Sequence, residues 1–430
     1  MLDIIKKTIF KIDNFLYTKF GSKKSTKFLE NIKEAQIIFS HLNEIGQESN
    51  IRFVGGCVRK SLLGEIVDDI DLATTHEPDQ VKKKLNKGNI RIIDTGIKHG
   101  TITVIINKKK FEITTLRKDV STDGRHAEVE FTPDWKIDAA RRDFTINAIY
   151  SDIEGRIFDP FNGISDLKTG QINFIGSTED RIQEDYLRIL RFFRFSIQYS
   201  KRDYDPFTIQ CIRKYINGIN KISNERIFDE LKKILSLKNI YNLFSNDSSK
   251  DIFLNVFPQF KYFERLKIIS NLSKKLREKI DYSHILGFLI IDESNNYEYF
   301  CHKYKTSNKI RQRFKNISTN LKNFHNKKFY TKENIKKLIY IFDKQSTIDL
   351  LIFSTVINNK IKNLVIEELI DYIHSCKIPK FPISGNDLIE YGYKSGQELG
   401  NKLKKLEEKW VENHFVIEKD FLKKNIKKIN

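Results

Sequence analysis

The stretch from Arg52 to Thr75, RFVGGCVRKSLLGEIVDDIDLATT, constrains the fold more than any other part of the chain. Its apolar run from Arg52 to Val54 ends in Gly55-Gly56. Val58, Leu62 and Leu63 then recur at helical spacing until Gly64, so the segment predicts strand, turn, short helix and a further strand. The paired glycines let backbone N–H groups approach an anion at the start of that helix, where the dipole favours negative charge. Arg59, one turn in, adds a guanidinium suited to phosphate oxygens. The next strand carries Asp69-Ile70-Asp71, and alternation puts both carboxylates on one face while Ile70 turns to the core. Two carboxylates so close repel each other unless a cation lies between them, and hard oxygen donors beside a phosphate turn suit Mg²⁺. An isolated Asp-x-Asp also reads as an ordinary acidic turn; the GGxVR ahead of it makes this one a candidate site.

Composition sets the bounds around that centre. A chain of 430 residues holds two or more domains with full cores. A net charge of +20 and a pI near 9.4 point to a polyanionic partner. Part of that excess follows from a composition rich in Lys, Asn, Ile and Phe throughout, so charge alone favours nucleic acid only modestly. Cys57, Cys211, Cys301 and Cys376 form no CxxC pair, which argues against a zinc site or disulfide framework and for a reducing compartment. No apolar run approaches the ~20 residues that span a bilayer, so the chain reads as soluble, with no membrane partner and a cytoplasmic location. The first residues are basic and amphipathic, but Asp3, Asp13 and the lack of Arg argue against a transit peptide. Residues 1–48 read as a helical extension, with Ile32, Ala35, Ile38, Phe39 and Leu42 at helical spacing for packing on the domain that follows.

Beyond the Asp pair, Pro78 to Leu85 predicts a short helix. Thr101–Ile106 and Phe111–Leu116 predict two strands joined by Asn107–Lys110. Alternation places Glu112 opposite Phe111 and Ile113, where it is either a third carboxylate beside Asp69 and Asp71 or an ordinary exposed strand residue. Lys118 to Lys136 reads as a mobile loop. Further motifs follow: GIKHGTITV with FEITTLR, then DAARRDFTINA from Asp138, and the turn-rich DPFNGISDLKTG from Asp159. After Gly176 the pattern is helical to the end.

Together these strings resemble the nucleotidyltransferase superfamily, specifically the class II tRNA nucleotidyltransferases (CCA-adding enzymes) with the related bacterial poly(A) polymerases. The resemblance is strong over residues 50–235 and moderate over 380–410. It departs from the family pattern at Lys60, where the family usually has Asp after the Arg, and the ion pair made there is what changes. GIKHGTITV and FEITTLR resemble the CCA-adding branch, and the resemblance makes Glu112 the third carboxylate. It implies that Arg142 meets the ribose or phosphate of a nucleotide, that Asp143 and Asn147 fix the surrounding geometry, and that the loop near Gly124 serves the last A addition.

A single helix is predicted from Glu184 to Phe195, EDYLRILRFFRF, buried around most of its circumference with a polar stripe of Asp185, Arg188, Arg191 and Arg194. That stripe faces either a polar partner within the protein or a ligand. Asp185 and Arg188, three residues apart, make either a helix ion pair or a base reader. The chemistry of a base reader is specific: cytosine presents an N4 donor beside the N3 acceptor, and adenine an N6 donor beside N1. A carboxylate beside a guanidinium complements both, whereas uracil and guanine oppose it with the reversed pattern. The string also matches the family's EDxxR element.

Ser223 is the expected N-cap of a helix to Leu235. Lys402, Lys404 and Lys405, in a glycine-punctuated tail, either contact RNA phosphates or form a solvated face. The fold class expected is α+β: a mixed-sheet nucleotidyltransferase head at 49–150, then an elongated all-α connector and neck at 151–235, a body at 236–375 and a tRNA-binding tail at 376–430. The resemblance implies template-independent transfer of CMP and AMP from CTP and ATP to the 3′ end of tRNA. Asp69, Asp71 and Glu112 would be catalytic, with Mg²⁺ on Asp69 and Asp71. Gly55, Gly56, Arg59, Arg142, Asp185, Arg188, Arg191 and Arg194 would bind nucleotide, and no obligate protein partner is expected. Poly(A) polymerase, or a relative adding only CC or only A, is the alternative.

Overall fold

The computed structural model describes residues 27–43, 49–86, 90–122, 127–358 and 360–416. The chain separates into two compact units, Met1–Val256 and Phe257–Asn430. Among its described residues the first contains nine strands: β1 (Ile51–Val54), β2 (Ile70–Thr74), β3 (Arg91–Gly96), β4 (Thr101–Ile106), β5 (Lys109–Thr115), β6 (Arg117–Thr122), β7 (Ala127–Phe131), β8 (Tyr150–Ser151) and β9 (Ile157–Phe158). Seven form one mixed sheet in the order β3-β4-β5-β2-β1-β8-β9. The β2–β5 pair is parallel and sets Asp71 opposite Glu112, so the two carboxylates share a face. Asn107 and Lys108, with φ of 48° and 68°, make the two-residue turn from β4 to β5.

Strand alternation divides the core. Ile51 and Phe53 of β1 face one cluster with Leu72, Val104, Phe111 and Ile113, while Val54 and Ala73 face a second with Trp135, Ala139, Tyr150 and Phe158. Arg52 turns to that second side, and its guanidinium lies 4.2 Å from the Trp135 ring centroid, so a 1% exposed arginine becomes part of the core. The apolar stripe expected before residue 48 belongs to α1 (Lys33–Leu42), whose Ala35, Ile38, Phe39 and Leu42 are buried in the first cluster. Phe39 and Phe53 stand 4.9 Å apart. This segment is therefore core of the head; what the extension does over 1–26 and 44–48 lies outside the described residues. α2 (Gly56–Leu63) starts on Gly55 and stops on left-handed Gly64, and α3 (Pro78–Leu85) follows β2.

Three expectations are corrected. β3 escapes the sequence reading because it is an edge strand, paired to β4 alone and irregular between Ile93 and Gly96. The segment read as a mobile loop, Lys118 to Lys136, instead holds the β6–β7 hairpin and the start of α4 (Trp135–Ala140). Lys118 pairs with Glu130, and Arg117 with Phe131. Its polar, alternating RKDVST and AEVEF make a two-stranded ribbon without an apolar run, so hydrophobicity alone misses it. The single helix expected from Glu184 to Phe195 is broken into α5 (Thr178–Glu184) and α6 (Leu187–Tyr199). Asp185 is extended (φ −152°, ψ 103°), and its Oδ1 accepts from Leu187 N at 3.1 Å. The Tyr186 ring then lies against Gly218, where a Cβ would come within 2.0 Å of it; only glycine leaves that room. α7 (Asn224–Leu235) starts at Ser223 as expected, with Ser223 accepting from Arg226 N.

The second unit is all-helical among its described residues. A polar knot, buried at His284 and Asp349, joins its helices α8 (Tyr282–Ile290), α9 (Asn308–Asn320) and α10 (Lys344–Ile357). Arg313 Nη1 donates to Asp281 Oδ2 at 2.8 Å and Nη2 to Asp349 Oδ1 at 2.7 Å, with His284 between the two carboxylates. Near its end, α11 (Gln397–Glu412) packs Leu406 and Trp410 on Leu388 and Tyr340. Lys404 and Lys405 are exposed on α11, with Lys402 half-buried. The four cysteines are free thiols.

Candidate active site

A cleft of about 700 Å³ opens in the first unit. Gly55, Gly56, Arg59, Asp69, Asp71, Arg142, Asp185, Arg188, Arg191 and Arg194 all line it, so residues far apart in sequence meet in one place. Glu112 stands in an adjoining hollow that shares Asp69 and Asp71 with the cleft. Eight arginines and four aspartates line the cleft, a balance that suits a polyanionic ligand such as a triphosphate.

Burial, and then repulsion from Glu112, push the Asp71 carboxyl up; Arg142 opposes this, and Asp69 adds to the repulsion. Glu112 Oε1 accepts from Lys110 Nζ at 2.5 Å. Among the described residues no three His, Cys, Asp or Glu side chains stand close enough to hold a metal by themselves. Two carboxylates completed by substrate oxygens are the habitual Mg²⁺ arrangement, and Asp69 with Asp71 fits that donor set. Lys60, in place of the family's usual Asp, forms an ion pair with Asp68.

The cleft wall is held by a relay that explains the RRDFTINA string. Arg59 is buried, its guanidinium 5.0 Å from the Phe195 ring centroid and 4.8 Å from that of Tyr199, and it donates to Asn147 Oδ1. Asn147 donates to Asp143 Oδ1 at 2.8 Å, and Asp143 Oδ2 accepts from Arg191 Nη2 at 2.5 Å. The turn helix α2 is thereby fastened to α6. Burial would raise the Asp143 carboxyl, but Arg191 and the Asn147 amide hold it below the ordinary range. Arg59 is thus a brace of the cleft as well as a residue lining it.

A second anchor went unread in the sequence. Asp138, 1% exposed, accepts from Arg142 Nη2 at 3.1 Å, from Arg141 Nε at 2.8 Å and from the Tyr150 hydroxyl at 2.7 Å. Burial alone would raise its carboxyl; Arg142 and Arg141, with the Tyr150 hydroxyl, hold it at about 2. A depressed carboxylate stabilises the fold above the unfolded-state range and loses that contribution as pH falls through about 2. Asp138→Ala strands two arginines and is expected to cost about 3–5 kcal/mol in urea unfolding at neutral pH. A loss under about 1 kcal/mol would mean that the arginines are held by something else.

Asp185 and Arg188 do not pair with each other. Asp185 Oδ2 accepts from Arg226 Nη2 at 2.8 Å, and Arg188 Nη1 donates to Glu184 Oε2 at 2.6 Å. The helix ion pair considered above is therefore absent, and each group is oriented from outside the pair while both line the cleft. Arg194 pairs with Glu230, which is 2% exposed on α7. Arg226, Glu230 and Lys233 were missed, although their spacing of four and three residues puts them on one face of α7. Arg117 and Arg141 of the cleft rim were missed as well.

Comparison with known proteins agrees with this architecture. A Poly A polymerase head domain model matches residues 51–173, an RNA- and SrmB-binding site model of polymerase A residues 204–264, and a tRNA nucleotidyltransferase domain 2 model residues 282–426. The chain is 36% identical over 418 residues to the mitochondrial CCA tRNA nucleotidyltransferase 1 of Homo sapiens, covering 93% of this chain and 91% of that protein. It is 32% identical over 423 residues to the CCA-adding enzyme of Lactococcus lactis subsp. cremoris, with 94% and 98% covered. The crystal structure of the Bacillus stearothermophilus CCA-adding enzyme in complex with CTP superposes with a TM-score of 0.69 at 25% identity, covering 89% of this chain and 93% of that one. Similarity of this extent, on a chain whose strand register sets Glu112 beside Asp71, places the protein in the family of CCA-adding tRNA nucleotidyltransferases.

Proposed function

We propose that this chain adds CCA to the 3′ end of tRNA, transferring CMP and AMP from CTP and ATP and releasing diphosphate at each step. The observation that carries the reading is the single cleft in which the Gly55-Gly56 turn, the Asp69 and Asp71 carboxylates and the Asp185 and Arg188 side chains meet. In this reading Gly56 and the cleft arginines other than Arg188 receive the triphosphate, with Arg142, held by Asp138 and Tyr150, directed at the nucleotide. Asp185 accepts from the exocyclic amine of C or A while Arg188 donates to the adjacent ring nitrogen, so base choice needs no nucleic-acid template.

Family members of this type use divalent metal, and we assign Mg²⁺ to Asp69 and Asp71, with Glu112 beside them. The chemistry supplied by bound Mg²⁺ is neutralisation of the phosphates and a lowered pKa for the attacking ribose hydroxyl. The tail lysines Lys402, Lys404 and Lys405 are proposed phosphate contacts for the tRNA. No helix among the described residues is long and apolar enough to cross a membrane. Four free cysteines support a reducing compartment, and we propose the cytoplasm; the relative named mitochondrial makes the organelle matrix the compartment to exclude by fractionation.

Incubation with tRNAs lacking CCA, lacking CA or lacking only the final A, with labelled CTP and ATP supplied separately, tests the reading. The expected result is C on the first two substrates in the order of the missing residues, and A on the last. Long A tails on arbitrary RNA would instead mark a poly(A) polymerase, and C addition without A a CC-adding relative.

A further inference from the structure

Two hollows meet at Asp69 and Asp71. The first is the arginine-lined cleft; the second, of about 610 Å³, holds Ile32, Val67, Ile70 and Glu112 together with the lysines of the β4–β5 turn. The triphosphate reading fills the first and leaves the second without a role. Phosphoryl transfer places the attacking hydroxyl and the departing diphosphate roughly in line, on opposite sides of the reacting phosphorus. With the triphosphate at Gly55-Gly56, the attacking strand must reach the carboxylates from the other side. We infer that this second hollow is the subsite for the acceptor end of the RNA, with Lys108 and Lys110 as its phosphate contacts and the half-buried Val67 and Ile70 as the apolar surface under its last base.

The turn is built for such a role. Lys109 is fixed by Glu34 of α1, its Nζ 2.7 Å from Glu34 Oε2, and the Asn107 amide donates to the same carboxylate at 3.4 Å. α1 thus clamps the turn by its middle lysine, and Lys108 and Lys110 line the hollow along with it. Lys110 lies two residues before Glu112 on β5, hence on the same strand face, and its ammonium bonds Glu112 in the free protein. An incoming phosphate offers Lys110 an alternative anion and releases the Glu112 carboxylate toward the attacking hydroxyl. The lysines are exposed and their bonds screened by solvent, so exchanging one anion for another meets little resistance. Apolar side chains beside a lysine turn suit a nucleotide, which presents a flat base and a charged backbone together.

This inference rests on the transfer reading above, and the test separates the two. Equilibrium binding of tRNA lacking CCA, measured without nucleotide or metal, is compared for the wild-type chain, the Lys108→Gln/Lys110→Gln double variant and a Lys108→Arg/Lys110→Arg control. The double variant is expected to bind about tenfold more weakly, with the slope of log affinity against log salt reduced by about one to two, as for the loss of one or two phosphate contacts. KM for CTP stays at the wild-type value, the Arg control binds tRNA as wild type does, and the melting temperature is unchanged. Unaltered tRNA affinity would overturn the inference. A rise in KM for CTP, or weaker inhibition by inorganic diphosphate, with tRNA binding intact would overturn it too, since the lysines would then hold the nucleotide's own phosphates. Wild-type protein that binds tRNA through these lysines yet incorporates nothing would refute the transfer reading and leave the binding subsite standing.

Discussion

Asp71→Ala is expected to reduce nucleotide incorporation to below about a hundredth of wild type while the protein melts at the same temperature or higher. Loss of the carboxylate removes one of the two cation donors, so activity falls with it. Stability moves the other way because the Asp71 carboxyl is pushed up by burial, then by Glu112, with Arg142 only partly offsetting this. The sign follows from proton binding. Between the ordinary aspartate range and the raised native value, the folded state holds the proton more tightly than the unfolded chain does. Stability at this position is therefore full at acid pH and is lost as pH rises through the native value. Alanine removes that loss, and the melting temperature of the variant, scanned from acid to neutral pH, should decline less than that of wild type. Activity retained above about a hundredth, or a melting temperature several degrees lower at neutral pH, would contradict the assignment of Asp71 to a metal-binding pair.

Much of this arrangement is legible in the sequence because local patterns carry it. The turn at Gly55-Gly56, the stop at Gly64 and the alternation around Asp71 and Glu112 each depend on residues within a few positions, and the structure has them as read. Edge strand β3, short and irregular after Ile93, and the polar β6–β7 ribbon were not legible, since both depend on a single partner strand. The break at Asp185 had no local signal either: EDYLRILRFF has the spacing of a continuous helix, and the Tyr186 ring next to the break packs on Gly218, more than thirty residues on. The Asp138 anchor was hidden for a similar reason. Its partner Tyr150 lies on β8, and only the fold brings the two together.

The second large effect concerns Arg188, whose partner proves to be Glu184. Arg188→Ala is expected to leave triphosphate binding intact, because Gly56, Arg142, Asp69 and Asp71 are untouched. Correct nucleotides lose a charge-assisted hydrogen bond to N3 of cytosine or N1 of adenine, worth about 1.5–3 kcal/mol, so kcat/KM for CTP and ATP falls roughly ten- to a hundredfold. UTP and GTP meanwhile lose an opposed donor, so the ratio of CTP to UTP use falls further than CTP use itself. The pair with Glu184 gives a rival account in which Arg188 only fastens α6 to α5. Glu184→Gln separates them: it removes that ion pair and leaves the guanidinium in the cleft. If Arg188 reads bases, Glu184→Gln keeps most of the CTP/UTP ratio and Arg188→Ala does not. An equal loss for all four nucleotides in Arg188→Ala, with a matching drop in melting temperature, would refute base reading.

The central claim is that one cleft both seats the triphosphate against the carboxylates and reads the base with protein side chains. A crystal structure of the chain with CTP and Mn²⁺, the metal located by its anomalous signal, tests it most directly. The account predicts Mn²⁺ on Asp69 and Asp71, the phosphates at the Gly55-Gly56 turn, N4 of cytosine donating to Asp185 and N3 accepting from Arg188. Cytosine bound with its N4–N3 edge turned away from Asp185 and Arg188, or Mn²⁺ held elsewhere than on Asp69 and Asp71, would contradict it.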